Sequence, residues 1–212
     1  ENLVKLARKY NEAIAVHIIG DAAAQQVLNV IEKYPAPKGK RDRLIHCCIL
    51  NEQLIHRMTK LPVILDLQPA FVPSDFPWAI DRLGGERLKY AYAWKTLMNR
   101  GLMCAAGTDA PVEDIDPIAT IYAAVERKKP TDDHDGYLPH EKLTRFEAIR
   151  AYTVGSAQAI GKEEVRGLIK AGFDADFSIF DRDLLKGTSE EMLKAKAVQT
   201  VVAGRIVFKL PL

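Results

Sequence analysis

Residues 13–21 read Ala-Ile-Ala-Val-His-Ile-Ile-Gly-Asp, and this stretch sets the pattern on which the fold prediction rests. The apolar run 13–16 has the length and composition of a buried strand, and His17 stands at its carboxyl end. Residues 22–34 place apolar side chains at helical spacing, and the Pro- and Gly-containing stretch 35–39 ends the helix. The sequence therefore predicts one strand–helix unit of the kind found in parallel sheets.

The same unit repeats along the chain, after an amphipathic helix over residues 1–11. The further predicted elements are strands at 43–48, 62–69 and 101–107 and helices at 51–60, 92–100, 118–127 and 143–160. Residues 70–86, rich in Pro, Asp and aromatic residues, are predicted as a long loop that shapes a binding site. Since strands alternating with helices pair in parallel through crossovers, we expect an α/β fold.

The composition changes towards the end of the chain. Residues 167–180 and 197–208 are β-rich and punctuated by Gly and Asp, which predicts a small β module. We therefore expect an α/β domain over residues 1–162 and a β module over residues 163–212.

Composition narrows the class of protein. The 212 residues are 48% hydrophobic and 27% charged, as in a soluble globular chain. Because a complete eight-stranded α/β barrel alone needs about 250 residues, this length excludes such a barrel with an extra domain. A net charge of +2 indicates neither a nucleic-acid nor a membrane partner. No apolar run approaches the roughly 20 residues of a membrane span and no signal-peptide pattern begins the chain, so a cytoplasmic location is predicted. Three cysteines without a CxxC pair are predicted to be core residues.

Side chains suited to a metal centre are predicted at the ends of several strands. His17, His46 and Asp109 follow apolar runs, and in a parallel α/β sheet the site lies at the carboxyl ends of the strands. Two imidazoles and a carboxylate suit a divalent ion such as zinc, which lowers the pKa of bound water to about 7. A carboxylate beside that water can move its proton. Each residue also has a structural alternative, as a hydrogen-bonded histidine or as the cap of a turn.

Other residues are candidates for contact with a substrate. Asp21 follows a strand and can face a substrate or cap the next helix, and Gln68 can be a polar pocket residue or a strand terminus. Aromatic side chains that could line an apolar pocket, or simply pack, are Phe71, Phe76, Trp78 and Trp94. Asp21, Gln68 and Trp94 are the predicted substrate contacts.

An ordered set of motifs makes a family resemblance specific. The segments that carry it are 16–23 (VHIIGDAA), 43–46 (RLIH), 68–69 (QP), 107–113 (GTDAPVE), 116–117 (DP), 121–125 (IYAAV), 143–153 and 167–177. Together they resemble the YtcJ-like branch of the amidohydrolase superfamily over nearly the whole chain.

This resemblance implies a metal-dependent hydrolase on a (β/α)8 TIM barrel. The chain would supply about the second half of the barrel, followed by strands of a small urease-like composite β-sandwich. His17 and His46 then correspond to the metal ligands of the fifth and sixth strands. Asp109 corresponds to the ligand and proton shuttle of the eighth. The implied cofactor is a divalent metal ion, zinc above all, and the implied reaction hydrolyses non-peptide carbon–nitrogen bonds in amides, formamides or cyclic amides.

The sequence departs from the family pattern in two places. Ile45 stands where the family usually has Glu before the sixth-strand His, and no His-x-His pair or fourth-strand ligand precedes His17. We therefore expect the carboxyl-terminal portion of a larger enzyme, inactive in isolation. Its exposed half-barrel edges would associate into a homo-oligomer or with another half.

Two other functions remain open from the sequence. One is a non-catalytic or regulatory relative that binds a small ligand on the same scaffold. The other is a phosphotriesterase-like or other non-amide hydrolase, because a fold does not determine its chemistry.

Overall fold

The computed structural model describes residues 1–211, in which two sheets are flanked by helices. The first part of the chain contains α1 (Asn2–Lys9), β1 (Ala15–Ile18), α2 (Asp21–Lys33), β2 (Asp42–His46), α3 (Glu52–Met58), β3 (Val63–Leu67), α4 (Phe71–Leu88), α5 (Trp94–Asn99) and β4 (Cys104–Ala106). The second part contains α6 (Pro117–Glu126), a 3-10 turn (Pro139–Glu141), α7 (Arg145–Arg150), a π-helical turn (Ala151–Gly155), α8 (Ser156–Ala159), β5 (Phe177–Phe180), α9 (Ser189–Leu193), β6 (Ala197–Val202) and β7 (Arg205–Lys209).

The first sheet has four parallel strands in the order β1-β2-β3-β4. In its register His17 lies opposite Ile45, and Ile45 lies opposite Asp66. One face of this sheet is covered by helices α2 to α5, whose buried side chains form one core with Leu44 and Leu65 of the strands. The alternation of strands and helices predicted from the sequence is confirmed.

The opposite face of the first sheet is more polar. Ala15 and His17 of β1 are exposed there. Arg43 donates from Nε and Nη2 to Oδ2 of Asp66, at 2.8 Å and 2.5 Å. Because side chains alternate along a strand, this ion pair points away from the core formed with the helices. The face that would line a barrel interior therefore carries a charged pair below the strand ends.

Helix α4 corrects the prediction of a long loop over residues 70–86. Pro73 lies in its first turn, where the backbone N–H needs no partner within the helix, so it does not interrupt the start. Pro77 lies inside the helix, which burial of Phe76 and Ala79 stabilises. Only at Gly84, with φ of 69°, does the backbone leave helical geometry. Tertiary packing outweighs the loop-like composition of this segment.

The helix predicted over residues 143–160 is present as α7, the π-helical turn and α8. It begins with a capping box in which Thr144 and Glu147 bond each other's backbone N–H groups. Gly155 meets β4 so closely that a Cβ atom there would lie 2.1 Å from the carbonyl oxygen of Cys104.

The second sheet is antiparallel, in the order β5-β6-β7. Its first strand begins at Phe177, so residues 167–176 are not a strand, although the sequence pattern predicted a β-rich segment from 167 onwards. Helices α6, α7 and α9 pack together beside it in a second core that includes Ile121 and Met192. The domain boundary at residue 162 stays a prediction.

The three cysteines are buried and unpaired, as predicted. Burial raises the pKa of the Cys48 and Cys104 thiols to about 12. Within residues 1–211, no helix combines the length and the apolar character that crossing a bilayer requires.

Candidate active site

The three predicted metal ligands lie together at the carboxyl-terminal ends of the parallel strands. His17 belongs to β1, His46 is the last residue of β2 and Asp109 lies in the loop after β4. Nδ1 of His17 is 2.7 Å from Nε2 of His46, and that Nε2 is 4.0 Å from Oδ2 of Asp109. The parallel register places these side chains, distant in sequence, next to each other.

The backbone at two of these residues is unusual. His46 has a φ of 78° and Asp109 a φ of 57°, both in the left-handed region that residues other than glycine seldom adopt. Such backbone costs on the order of 1–3 kcal/mol per residue and is concentrated at functional sites. At His46 it ends the strand, and the ring turns towards His17.

Gln68 holds the His46 ring from the other side. Its Oε1 lies 2.8 Å from Nδ1 of His46, and both side chains are buried. An amide oxygen only accepts, so Nδ1 of His46 donates to it, and Nε2 of His46 accepts the hydrogen bond that Nδ1 of His17 donates at 2.7 Å. A metal ion bound between the two rings would take the place of that shared proton. Phe71 stacks on the same ring, with centroids 5.7 Å apart and planes 18° from parallel. Gln68 and Phe71 therefore fix both the orientation and the tautomer of His46.

The donor atoms fit a metal centre in chemical type. Two imidazole nitrogens and a carboxylate oxygen are common zinc ligands, and a histidine ligand usually donates from its other nitrogen to an acceptor, as His46 does to Gln68. Two nitrogens around one tetrahedral zinc ion lie about 3.3 Å apart, so the rings would have to separate by about half an ångström. As they stand, no three His, Cys, Asp or Glu side chains within residues 1–211 surround a common metal position.

The other two predicted substrate contacts lie outside this cluster. Asp21 begins α2, where its Oδ2 pairs with Nη2 of Arg87 at 2.8 Å. Trp94 is buried in the core, with the guanidinium of Arg127 5.8 Å from its ring centroid. Of the three predicted contacts, only Gln68 touches a candidate ligand, and contact of each with substrate stays a prediction.

Sequence reasoning missed two polar residues beside the cluster. Tyr92 donates its hydroxyl hydrogen to Oδ2 of Asp75 at 2.5 Å. Burial raises the pKa of Asp75 above its ordinary value, against the opposing effects of the Tyr92 hydrogen bond and of His46. Phe71, Asp75 and Trp78 are spaced as one face of a helix, and this spacing could have revealed Asp75, whereas Tyr92 lies outside the helix and has no such signal.

Comparison with known proteins decides the family. The sequence profile of the amidohydrolase family matches residues 1–208. The chain belongs to the amidohydrolase family. This match and the 46% identity to YtcJ described next confirm the predicted resemblance to YtcJ-like amidohydrolases.

Individual amidohydrolases match over nearly the whole chain. The putative amidohydrolase YtcJ of Bacillus subtilis is 46% identical over 208 residues, which cover 98% of this chain and 39% of that protein. The N-substituted formamide deformylase of Arthrobacter pascens is 26% identical over 209 residues, covering 96% of this chain and 38% of that protein. The chain thus spans about two fifths of the length of these curated relatives.

Comparison with a solved structure confirms the predicted fold class. The crystal structure of an uncharacterized metal-dependent hydrolase from Pyrococcus horikoshii is 32% identical, with a TM-score of 0.77, over 89% of this chain and 38% of that one. The four parallel strands correspond to part of an α/β barrel, and the three antiparallel strands form the β module beside it.

Proposed function

We propose that this amidohydrolase is a zinc-dependent hydrolase that cleaves non-peptide carbon–nitrogen bonds in amides, formamides or cyclic amides. The observation that carries the proposal is the convergence of three side chains at the strand ends. His46 Nε2 lies 2.7 Å from His17 Nδ1 and 4.0 Å from Asp109 Oδ2. The name of the formamide deformylase among its relatives supports the substrate class.

His17, His46 and Asp109 are the residues of this chain that would hold the metal ion. When bound, the ion supplies a water activated near neutral pH and polarises the substrate carbonyl. Asp109 accepts the proton from the attacking water on Oδ1, its other carboxylate oxygen, as the new carbon–oxygen bond forms. The same carboxyl group returns the proton to the nitrogen as the carbon–nitrogen bond breaks, which yields a carboxylic acid and an amine or ammonia.

The surroundings of the site support these roles. Gln68 keeps the lone pair of His46 Nε2 towards the other two ligands. Asp109 has a half-buried side chain, so its carboxylate is accessible to a small-molecule substrate. The three unpaired buried thiols suit a reducing compartment such as the cytoplasm, where we place the protein.

Metal analysis and a substrate screen on the natural full-length protein test this proposal. We expect bound zinc, hydrolysis of at least one amide, formamide or cyclic amide, and loss of both in His46→Ala. His56→Ala is the matched control, because His56 is exposed on α3.

A protein without metal, whose activities survive His46→Ala, would contradict the proposal and favour a non-catalytic ligand-binding relative. Turnover confined to phosphotriesters would favour a non-amide hydrolase.

A further inference from the structure

The loop between β4 and α6 presents Asp109 to the candidate site. Asp109 lies three residues beyond the last residue of β4, and its backbone has a φ of 57°. The loop is anchored to the sheet at its base, where the N–H of Gly107 donates to the carbonyl oxygen of Leu67 at 2.9 Å. The position of the Asp109 side chain therefore depends on how the backbone turns just after this anchor.

The peptide group that follows Asp109 is held at both of its polar atoms. The carbonyl oxygen of Asp109 accepts a hydrogen bond from the N–H of Val112 at 2.9 Å. The N–H of Ala110, at the other end of the same peptide group, donates to Oγ1 of Thr108 at 3.2 Å. Because a peptide group is planar, these two bonds together fix the ψ angle of Asp109.

The side chain of Thr108 supplies one of these two bonds. A Thr hydroxyl that accepts from the N–H two residues later closes a turn around the residue between them, which here is Asp109. Thr is β-branched, so few rotamers compete with the one that places Oγ1 at this N–H. Left-handed backbone at a residue other than glycine persists only where its surroundings hold it, and Thr108 provides such a restraint.

The carboxylate of Asp109 has no comparable restraint of its own. Its Oδ2 stands 4.0 Å from Nε2 of His46, beyond hydrogen-bond distance, and its side chain is 34% exposed. Within residues 1–211 no hydrogen-bond donor holds either carboxylate oxygen. A rotation of the Asp109 backbone would therefore move the carboxylate away from His46 without breaking any side-chain hydrogen bond of Asp109.

We propose that Thr108 is a positioning residue, whose hydroxyl oxygen holds the left-handed backbone of Asp109 and so keeps the Asp109 carboxylate beside His46. The inference rests on the proposed hydrolase function, in which that carboxylate is a metal ligand and moves a proton. Thr108 acts through the backbone alone, so its loss affects these two tasks of Asp109 and not the binding of substrate.

Three variants of the natural full-length protein test this role. Thr108→Val keeps the shape of the side chain and removes the hydroxyl, whereas Thr108→Ser keeps the hydroxyl. The matched control is Thr59→Val at the end of α3. Thr59 is exposed, and its hydroxyl donates to the carbonyl oxygen of His56 at 2.8 Å.

We expect Thr108→Val to lower zinc affinity and kcat by about three- to tenfold each, which is the usual effect of losing one hydrogen bond. KM should stay unchanged, because the lost interaction acts on the transition state and not on substrate binding. Thr108→Ser should restore both values, and Thr59→Val should change neither. Competition with a chromophoric chelator measures the zinc affinity, and initial rates on an amide that the natural protein hydrolyses give kcat and KM.

Amide hydrogen exchange separates this inference from the proposed activity. In the metal-free full-length protein, the Ala110 N–H should exchange about three- to tenfold faster in Thr108→Val than in the natural protein or Thr108→Ser. That pattern in a protein with neither zinc nor turnover supports the hold on Asp109 and contradicts the hydrolase proposal. Equal zinc affinity and kcat in Thr108→Val and an active natural protein contradict the positioning role alone.

Discussion

At the scale of single residues, the hydrogen bond from His46 to Gln68 controls the candidate metal centre. It is buried and 2.8 Å long, and it decides which nitrogen of His46 faces the other ligands. An imidazole without this acceptor is free to rotate or to carry its proton on Nε2, and either change removes the lone pair from the site.

Gln68→Leu should therefore weaken zinc binding by about 10- to 100-fold, the usual loss when the partner of a ligating histidine is removed. Competition with a chromophoric chelator measures the affinity directly. Gln68→Glu keeps an acceptor oxygen and should restore most of it. Equal zinc affinity in the Leu variant and the natural protein would show that Gln68 does not position His46.

The sequence identified candidate ligands but not their local geometry. His17, His46 and Asp109 were predicted because each follows an apolar run, and the structure brings their side chains together. Nothing in the sequence predicted the left-handed backbone of His46, because glycine or asparagine usually occupies that conformation. The partnership of Gln68 with His46 depends on the register of β2 against β3, which periodicity alone does not fix.

At the scale of elements, the close contact between the π-helical turn and β4 is possible because Gly155 has no side chain. Gly155→Ala would place a Cβ 2.1 Å from the Cys104 carbonyl oxygen, so helix and strand would have to move apart. We expect a loss of about 1–3 kcal/mol in the free energy of unfolding, the range for overpacked cores. Urea titration monitored by circular dichroism measures it.

Gly85→Ala is the control for that experiment, since a Cβ there meets nothing within 4 Å. It should leave stability unchanged or raise it slightly, because alanine is the better helix former. Equal midpoints for the two variants would mean that the helix adjusts without cost.

Element prediction succeeded where periodicity was strong and failed where packing decides. The strands β1 to β4 follow from short apolar runs with helical patterns between them. Helix α4 was not predicted because of Pro73 and Pro77. Pro73 is tolerated in the first turn, and Pro77 is tolerated because burial of Phe76 and Ala79 stabilises the helix. Its structure follows from contacts with other elements, which a local reading of composition does not contain.

At the scale of the whole molecule, the parallel sheet has two open edges. Within the described residues 1–211, β1 pairs only with β2 and β4 only with β3, and the side chains of Ala15 and His17 are exposed on the inner face. Unpaired strand edges beside exposed surface promote association. The isolated 212-residue chain should therefore form dimers or larger species. Light scattering over a range of concentrations measures this, and a monodisperse monomer at every concentration would refute it.

The position of α4 along the chain has an evolutionary consequence. The candidate ligands come from β1, β2 and the loop after β4. One wall of the cavity of about 290 Å³ beside Phe71 is formed instead by one stretch of chain between β3 and β4. Mutations within residues 72–92 can therefore accumulate while the candidate ligands are inherited unchanged, whereas Phe71 is constrained because it stacks on His46. A lineage with this arrangement can change its substrate preference through substitutions in this one segment.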